Sequence, residues 1–133
     1  MIRISARVRQ KIIEHARRDA PIEACGYLVG RRNSVIEFIP MRNSDNSPEH
    51  YSFDPEEQFK VLKKVREQGL DVIGAYHSHP KTPARMSEED IRLAYDTSIS
   101  YVIVSLADIF VDIRSFRINN DKVKEVKLKV FDA

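Results

Sequence analysis

Cysteine is nearly missing from this sequence: Cys25 stands alone among 133 residues. A lone thiol cannot close an internal disulfide, so nothing points to an oxidising compartment. Long hydrophobic runs are missing too, because no stretch of 18 apolar residues occurs that could form a membrane-spanning helix. The opening Met-Ile-Arg-Ile-Ser-Ala-Arg-Val-Arg-Gln-Lys also lacks the apolar segment and cleavage site of a signal peptide. A cytoplasmic address, with no membrane partner, is the default expectation. Charge of one sign is equally scarce. Against 22 basic residues stand 20 acidic ones, and Arg31-Arg32 and Lys63-Lys64 are too short for nucleic-acid tracts. No nucleic-acid partner is expected. Repeats, low-complexity segments and linkers are absent, which leaves one domain over residues 1–133, long enough to bury a core without staples. A metal bound to such a domain would serve chemistry rather than folding.

The hydrophobic pattern describes an α/β (α+β) chain. Val8, Ile12, Ile13 and Ala16 recur at helical spacing from Ser5 to Asp19, and the helix should end before Pro21. Two extended runs, Glu23 to Val29 and Val35 to Ile39, flank the turn Gly30-Arg-Arg-Asn-Ser34 and predict a β-hairpin. Pro40 to Pro55, rich in Asn, Ser, Asp and Pro, reads as a long surface loop of a length that often carries function. Asp54-Pro55-Glu56-Glu57 opens a second helix, over about residues 55–68, with Phe59, Leu62 and Val65 on one face. Asp71 to Tyr76 reads as a buried strand that delivers His77-Ser-His79-Pro80 at its carboxyl end. Ser87 opens a third helix carrying Ile91, Ala94 and Tyr95. Tyr101–Leu106 and Ile109–Ile118 look like core strands. The tail from Lys122 to Lys129 alternates Lys with apolar residues and suits an outer strand within the run Val123–Phe131.

Chemistry concentrates at the third strand and third helix. Side chains two apart on a strand share a face, so His77 and His79 can reach one ion. Pro80 biases His79 to an extended backbone, which preserves that geometry. Ser87-Glu-Glu-Asp90 follows, and on its own it is a helix capping box, with Ser at the N-cap and an acid three residues on. The combination is more specific than its parts. His-x-His followed by seven residues and Ser-x-x-Asp should arise by chance about 0.0007 times in a chain of this composition. Two imidazoles and a carboxylate supply three ligands of a tetrahedral zinc, with the fourth position left for water, which is the catalytic arrangement.

This signature, together with Glu23 in Pro21-Ile-Glu-Ala-Cys-Gly-Tyr-Leu-Val-Gly30, resembles the JAMM (MPN-plus) metalloprotease family over nearly the whole chain. The likeness extends to the loop with Asn43 and Pro48-Glu-His-Tyr51 and is greatest to the short prokaryotic members. The resemblance implies a mixed, partly barrel-like β-sheet flanked by about three helices, related to the cytidine deaminase-like architecture. It also implies one Zn2+ per chain on His77, His79 and Asp90. Glu23 would then handle the proton of the attacking water, and Ser87 would help stabilise the developing oxyanion. The implied substrate is the C-terminal tail of a ubiquitin-like or sulfur-carrier protein, and a homodimer is left open.

Other residues have plainer expectations. Glu23 taken alone is a surface acid near a helix end, and only the resemblance raises it. Cys25 should be a small packed residue, since no histidine lies near it in sequence. His15 and His50 should be structural or solvated. Ser78 should face away from the two histidines and support them from behind, while Asn43 and Tyr51 would shape the groove or hold the loop. The competing function is a metal-free scaffold domain of the MPN-minus kind, against which the intact Glu23, His77, His79, Ser87 and Asp90 argue. A zinc nucleoside deaminase would need His-x-Glu and Pro-Cys-x-x-Cys, which one cysteine cannot supply. The DNA-repair RadC-like branch also uses His-x-His-Pro, but His77-Ser-His79-Pro80-Lys-Thr lacks its usual Asn and Gly.

Overall fold

A computed structural model describes residues 1–132 as eight strands and three helices. The strands are β1 (Ile2–Ser5), β2 (Cys25–Arg31), β3 (Ser34–Met41), β4 (Asp71–His79), β5 (Ser100–Ser105), β6 (Asp112–Asn119), β7 (Lys122–Val126) and β8 (Leu128–Phe131). The helices are α1 (Ala6–Asp19), α2 (Pro55–Glu67) and α3 (Glu88–Leu93). Each helix starts where a side chain satisfies its free N–H groups. Ser5 accepts from Val8 N, Asp54 from Glu57 N with Pro55 in the first turn, and Ser87 from Asp90 N.

The strands form one mixed sheet in the order β7-β6-β5-β4-β2-β3-β1-β8. β1 runs parallel to β3 and β8, β4 runs parallel to β5, and the remaining pairs are antiparallel. β7 and β8, the two ends of that order, are separated in sequence by Lys127 alone. A chain that passes from one edge to the other in one residue requires the sheet to curl until its edges meet. The fold is therefore nearly a barrel, as the resemblance implied. The Lys127 carbonyl, at the crossing, accepts from Ile2 N at 2.9 Å and so ties the crossing to the β1–β8 ladder.

Central strands buried on both faces separate two cores. On one face, Val8, Ile12 and Ala16 of α1 pack with Ile4, Leu28, Val35 and Tyr76. On the other, Val65 of α2 packs with Cys25, Tyr27, Val29, Ala75 and Tyr101. Gly26 lets β2 lie this close to β3, since a Cβ there would stand 2.4 Å from Ile39 O. Strand alternation then puts Tyr76 and Ser78 toward the α1 side and Ala75, His77 and His79 toward the α2 side.

Four expectations change. β1 was not foreseen: Ile2 and Ile4 alternate with Arg3 over only four residues before Ser5 caps the helix. The basic tail is two edge strands rather than one: its apolar phase slips within β7, between Val123 and Val126, and the chain leaves one edge for the other at Lys127. The third helix ends at Leu93; Ala94 is its C-cap and Tyr95 projects into solvent at 82% exposure. The strand expected from Ile109 begins at Asp112, leaving Ile109 and Phe110 in an exposed turn.

Candidate metal centre

The site is assembled where β4 ends beside α3. His77 Nε2, His79 Nε2 and Asp90 Oδ2 form a triangle with edges of 3.0 to 3.1 Å. His77 and His79 are buried, and the Asp90 side chain is 6% exposed. Among the described residues this is the group of His, Cys, Asp or Glu side chains that could share a metal ion. Roomier clefts exist elsewhere, one of about 420 Å³ between Ile2, Ser100 and Lys127, but it holds neither histidine nor cysteine. Donor chemistry, not volume, locates the centre.

The capping box and the ligand role, which compete in the sequence, are held by the same atom. Asp90 Oδ2 accepts from Ser87 N at 3.0 Å while facing both imidazoles. Ser87 Oγ in turn accepts from Asp90 N at 3.0 Å, and its own hydroxyl proton remains free to donate. The cap thus fixes the carboxylate that completes the triangle.

Tautomers make the same point. His79 Nδ1 lies 2.8 Å from Pro83 O, which can only accept, so Nδ1 carries the proton and Nε2 offers a lone pair. That lone pair faces a carboxylate oxygen and a second imidazole nitrogen. Such a convergence is repulsive unless a proton or a cation lies within it. One carboxylate oxygen and two ring nitrogens, with one ring oriented by a backbone carbonyl, is a donor set that suits zinc.

Charge follows the geometry. Burial pushes the Asp90 carboxyl up, but the hydrogen bonds from His77 and His79 outweigh it and hold the group well below the usual carboxylate range. Burial keeps His77 below the ordinary imidazole value. For His79, burial again lowers the value, but Asp90 and the Pro83 carbonyl prevail and raise it. Asp90 is therefore the anion of the cluster, and His79 is the more readily protonated of the two imidazoles.

Glu23 reaches the centre from the neighbouring strand. Cys25 pairs with His77, and Ser78 N donates to Ala24 O at 2.9 Å, so the same antiparallel register brings Glu23 opposite His79. Glu23 is 3% exposed, and its Oε1 is a buried oxygen without a hydrogen-bond partner. Burial pushes its carboxyl up to about 8, opposed by the nearby His79 and reinforced by Asp90, Glu89 and Glu49. A buried carboxyl with a raised proton affinity, one oxygen without a partner, beside three converging candidate ligands, is placed to exchange a proton with a water between them.

A predicted pH dependence follows. In metal-free protein the folded state binds a proton at Glu23 between its ordinary value of 4.5 and about 8, whereas the unfolded chain releases it. This contribution is full below about 4.5 and is lost as pH rises through 8. With chelator present, the stability of the wild type relative to Glu23→Gln should fall by about 2 kcal/mol between pH 5 and 8, after discounting for solvent relaxation. Urea unfolding of both proteins at the two pH values measures it, and a constant difference would show that Glu23 titrates normally.

Supporting residues stand behind this arrangement. Ser78, fully buried, accepts from Ala24 N through Oγ at 2.7 Å and so clamps the histidine strand to the Glu23 segment. Asn43, for which the sequence allows either a groove or a loop role, is the staple of the long loop. Its Nδ2 donates to Glu23 O at 3.1 Å and His50 O at 3.0 Å, while Glu23 N donates to Ser47 O. The loop in turn lays the Tyr51 ring on His77, with centroids 4.6 Å apart and planes at 26°. Its Asn and Pro content marked a loop but not these partners. Cys25 is wholly buried, and burial pushes its thiol up to about 12, which excludes a thiolate nucleophile. His15 hydrogen-bonds Tyr76 inside the first core, and His50 pairs with Asp45 in the loop, both outside the ligand triangle.

The model of the family described as prokaryotic homologs of the JAB domain matches residues 5–119. The CysO-cysteine peptidase of Mycobacterium tuberculosis is 37% identical over 132 residues, covering 97% of this chain and 90% of the relative. A desampylase of Haloferax volcanii is 34% identical over 109 residues, covering 77% of this chain and 78% of the relative. A solution structure from Desulfitobacterium hafniense superposes with a TM-score of 0.92 at 43% identity, covering 100% of this chain and 94% of the other. A structure described as a JAMM metalloprotease-like zinc site in the proteasome and signalosome superposes with a TM-score of 0.66 at 25% identity, covering 99% of both chains. Matched by the family model over most of its length, and by a relative of the same size, the chain belongs to the short prokaryotic branch of the JAMM/MPN family.

Proposed function

We propose that this chain is a zinc-dependent peptidase or isopeptidase that cleaves an amide bond at the C-terminal tail of a ubiquitin-like or sulfur-carrier protein. The observation that carries this reading is the convergence of His77, His79 and Asp90 within 3.1 Å beside the buried, unpartnered Glu23 carboxyl. Support for the substrate class comes from relatives named as a CysO-cysteine peptidase, a desampylase and a probable TtuB-protein conjugate cleaving protease. A metal-free scaffold would have no use for a buried, unpartnered carboxyl oxygen on the strand end beside such a donor set.

Zinc held by His77, His79 and Asp90 would supply Lewis-acid polarisation and a water acidic enough to ionise near pH 7. Glu23 takes the proton of the attacking water and returns it to the leaving amine. Burial raises this carboxyl above the ordinary carboxylate range, which makes its ionised form a stronger proton acceptor than a solvated Glu. Ser87, at the exposed mouth of the site, directs its free hydroxyl proton toward the oxygen that gains charge on the scissile carbonyl. Ser78 and Asn43 keep Glu23 in register with the histidines. Tyr51 covers His77 and excludes water from one side of the ligand group.

The test is cleavage of ubiquitin-like sulfur-carrier proteins that carry one amide-linked residue beyond the natural C-terminus, followed by mass spectrometry. Loss of that residue with zinc-loaded protein, abolished by chelator and restored by zinc, is the expected result. Zinc-loaded protein that leaves every such substrate intact would return the chain to the scaffold reading.

A further inference from the structure

The turn between β5 and β6 presents the most exposed apolar pair of the described residues, Ile109 at 88% and Phe110 at 84%. Sequence pattern alone assigns both to a core strand, yet the fold leaves them in solvent. Their exposure is not slackness. Leu106 and Val111, at the two feet of the turn, pack against the main core. Ala107 N donates to Ser105 Oγ at 3.2 Å, and Ile109 N donates to Asp108 Oδ1 at 2.7 Å. A fixed turn therefore holds an aliphatic and an aromatic side chain outward, which is the form of a binding anchor whose ordering cost is already met.

Position narrows what the anchor binds. Ser105, the last residue of β5, pairs with His79, and Leu106 N donates to His79 O at 3.1 Å. Ser105 Oγ also donates to Thr82 O, in the segment between His79 and α3. The turn thus leaves the sheet at the end that carries the metal ligands, one strand away from them. A protein whose tail enters the centre must rest its folded body on surface of this kind.

Area separates that occupant from a second copy of the chain. Ile109 and Phe110 together expose about 300 Å² of side chain. Stable dimers cover about 800 Å² per partner, so the pair suits a small anchor in a transient complex. Asp108 and Asp112 bracket the two side chains. Asp112 is engaged by Arg114 at 3.0 Å, whereas Asp108 bonds only backbone. The complementary surface is an apolar patch with basic residues at its rim.

We propose that Ile109 and Phe110 dock the folded body of the protein whose C-terminal tail is cleaved, through an apolar, basic-rimmed patch on that body. This rests on the proposed peptidase function for the identity of the partner, and its test separates the two. The variant is Ile109→Ser with Phe110→Ser, compared with wild type by three measurements. The first is an NMR titration with a ubiquitin-like sulfur-carrier protein lacking its last six or so residues, which cannot reach the metal centre. Wild type should shift the carrier's resonances and the variant should not. The second is hydrolysis of the intact carrier, where KM should rise at least about tenfold with kcat unchanged. The third is hydrolysis of a short peptide of the tail, which should be equal in both proteins. Tail-less carrier that binds neither protein, or both equally, overturns the docking proposal whether or not cleavage occurs. Binding without any cleavage would instead overturn the peptidase reading and leave the docking surface standing. A drop from dimer to monomer in the variant by light scattering would assign the pair to self-association.

Discussion

Exchanging Glu23 for Gln is expected to leave one zinc per chain and to lower kcat by about 10³-fold, the usual size of a general acid–base contribution. Gln keeps the volume and removes the titration. The contacts that set this segment in place are main-chain: Glu23 N donates to Ser47 O, and Glu23 O accepts from Asn43. Both survive the exchange. Because Glu23 Oε1 has no partner, the new amide breaks no hydrogen bond. A fall in rate would therefore report chemistry rather than refolding of the strand end. Glu89 and Glu49 are near enough to act on Glu23 electrostatically, and relay through water to one of them would account for residual turnover. KM should stay within a few-fold, since in the proposed role the carboxyl meets the reacting water and not the bulk of the substrate. Metal analysis beside steady-state kinetics decides the matter. Activity within threefold of wild type, at full zinc content, would remove Glu23 from the mechanism.

What made the ligand triangle legible in sequence is that each piece follows from local rules. His77 and His79 share a face by strand alternation, and the Ser87 cap dictates where Asp90 must turn. Helix starts at Asp54 and Ser87 were readable for the same reason, since a cap lies within three residues of what it satisfies. Glu23 was legible only by resemblance. Its place opposite His79 depends on the β2–β4 register between segments more than 50 residues apart, which no local pattern encodes. Asn43 illustrates the same limit. Its side chain joins Glu23, Ser47 and His50, so its role exists only once the loop has folded back on β2. The basic tail failed differently. Alternation recorded that it was strand, but only the curl of the sheet decided that it serves both edges. Ile109 and Phe110 failed because apolar character is the same signal whether a residue is meant for the core or for a partner.

The second large effect is expected at Asp90, where two substitutions separate the cap from the ligand. Asp90 Oδ2 is shared between Ser87 N and the two imidazoles, so Asp90→Ala removes both functions. It should abolish stoichiometric zinc and also cost about 1 kcal/mol of stability in metal-free protein through the lost reciprocal cap. Asp90→Asn keeps an oxygen that can accept from Ser87 N but gives up the negative charge. Metal-free Asp90→Asn should then keep the cap but be less stable than wild type through the lost charge that His77 and His79 stabilise, while its zinc affinity falls by more than about 10²-fold, beyond the loss usual for residues that only support a ligand. Removing the anion also withdraws what raises His79, so zinc binding by Asp90→Asn should depend less steeply on pH than in wild type. Zinc titrations at pH 6 and 8, with denaturant melts of each apo protein, measure all three quantities. Wild-type zinc affinity in Asp90→Asn would make the aspartate a helix cap alone. The remaining pair, His77 and His79, would then have to hold the ion without a protein carboxylate.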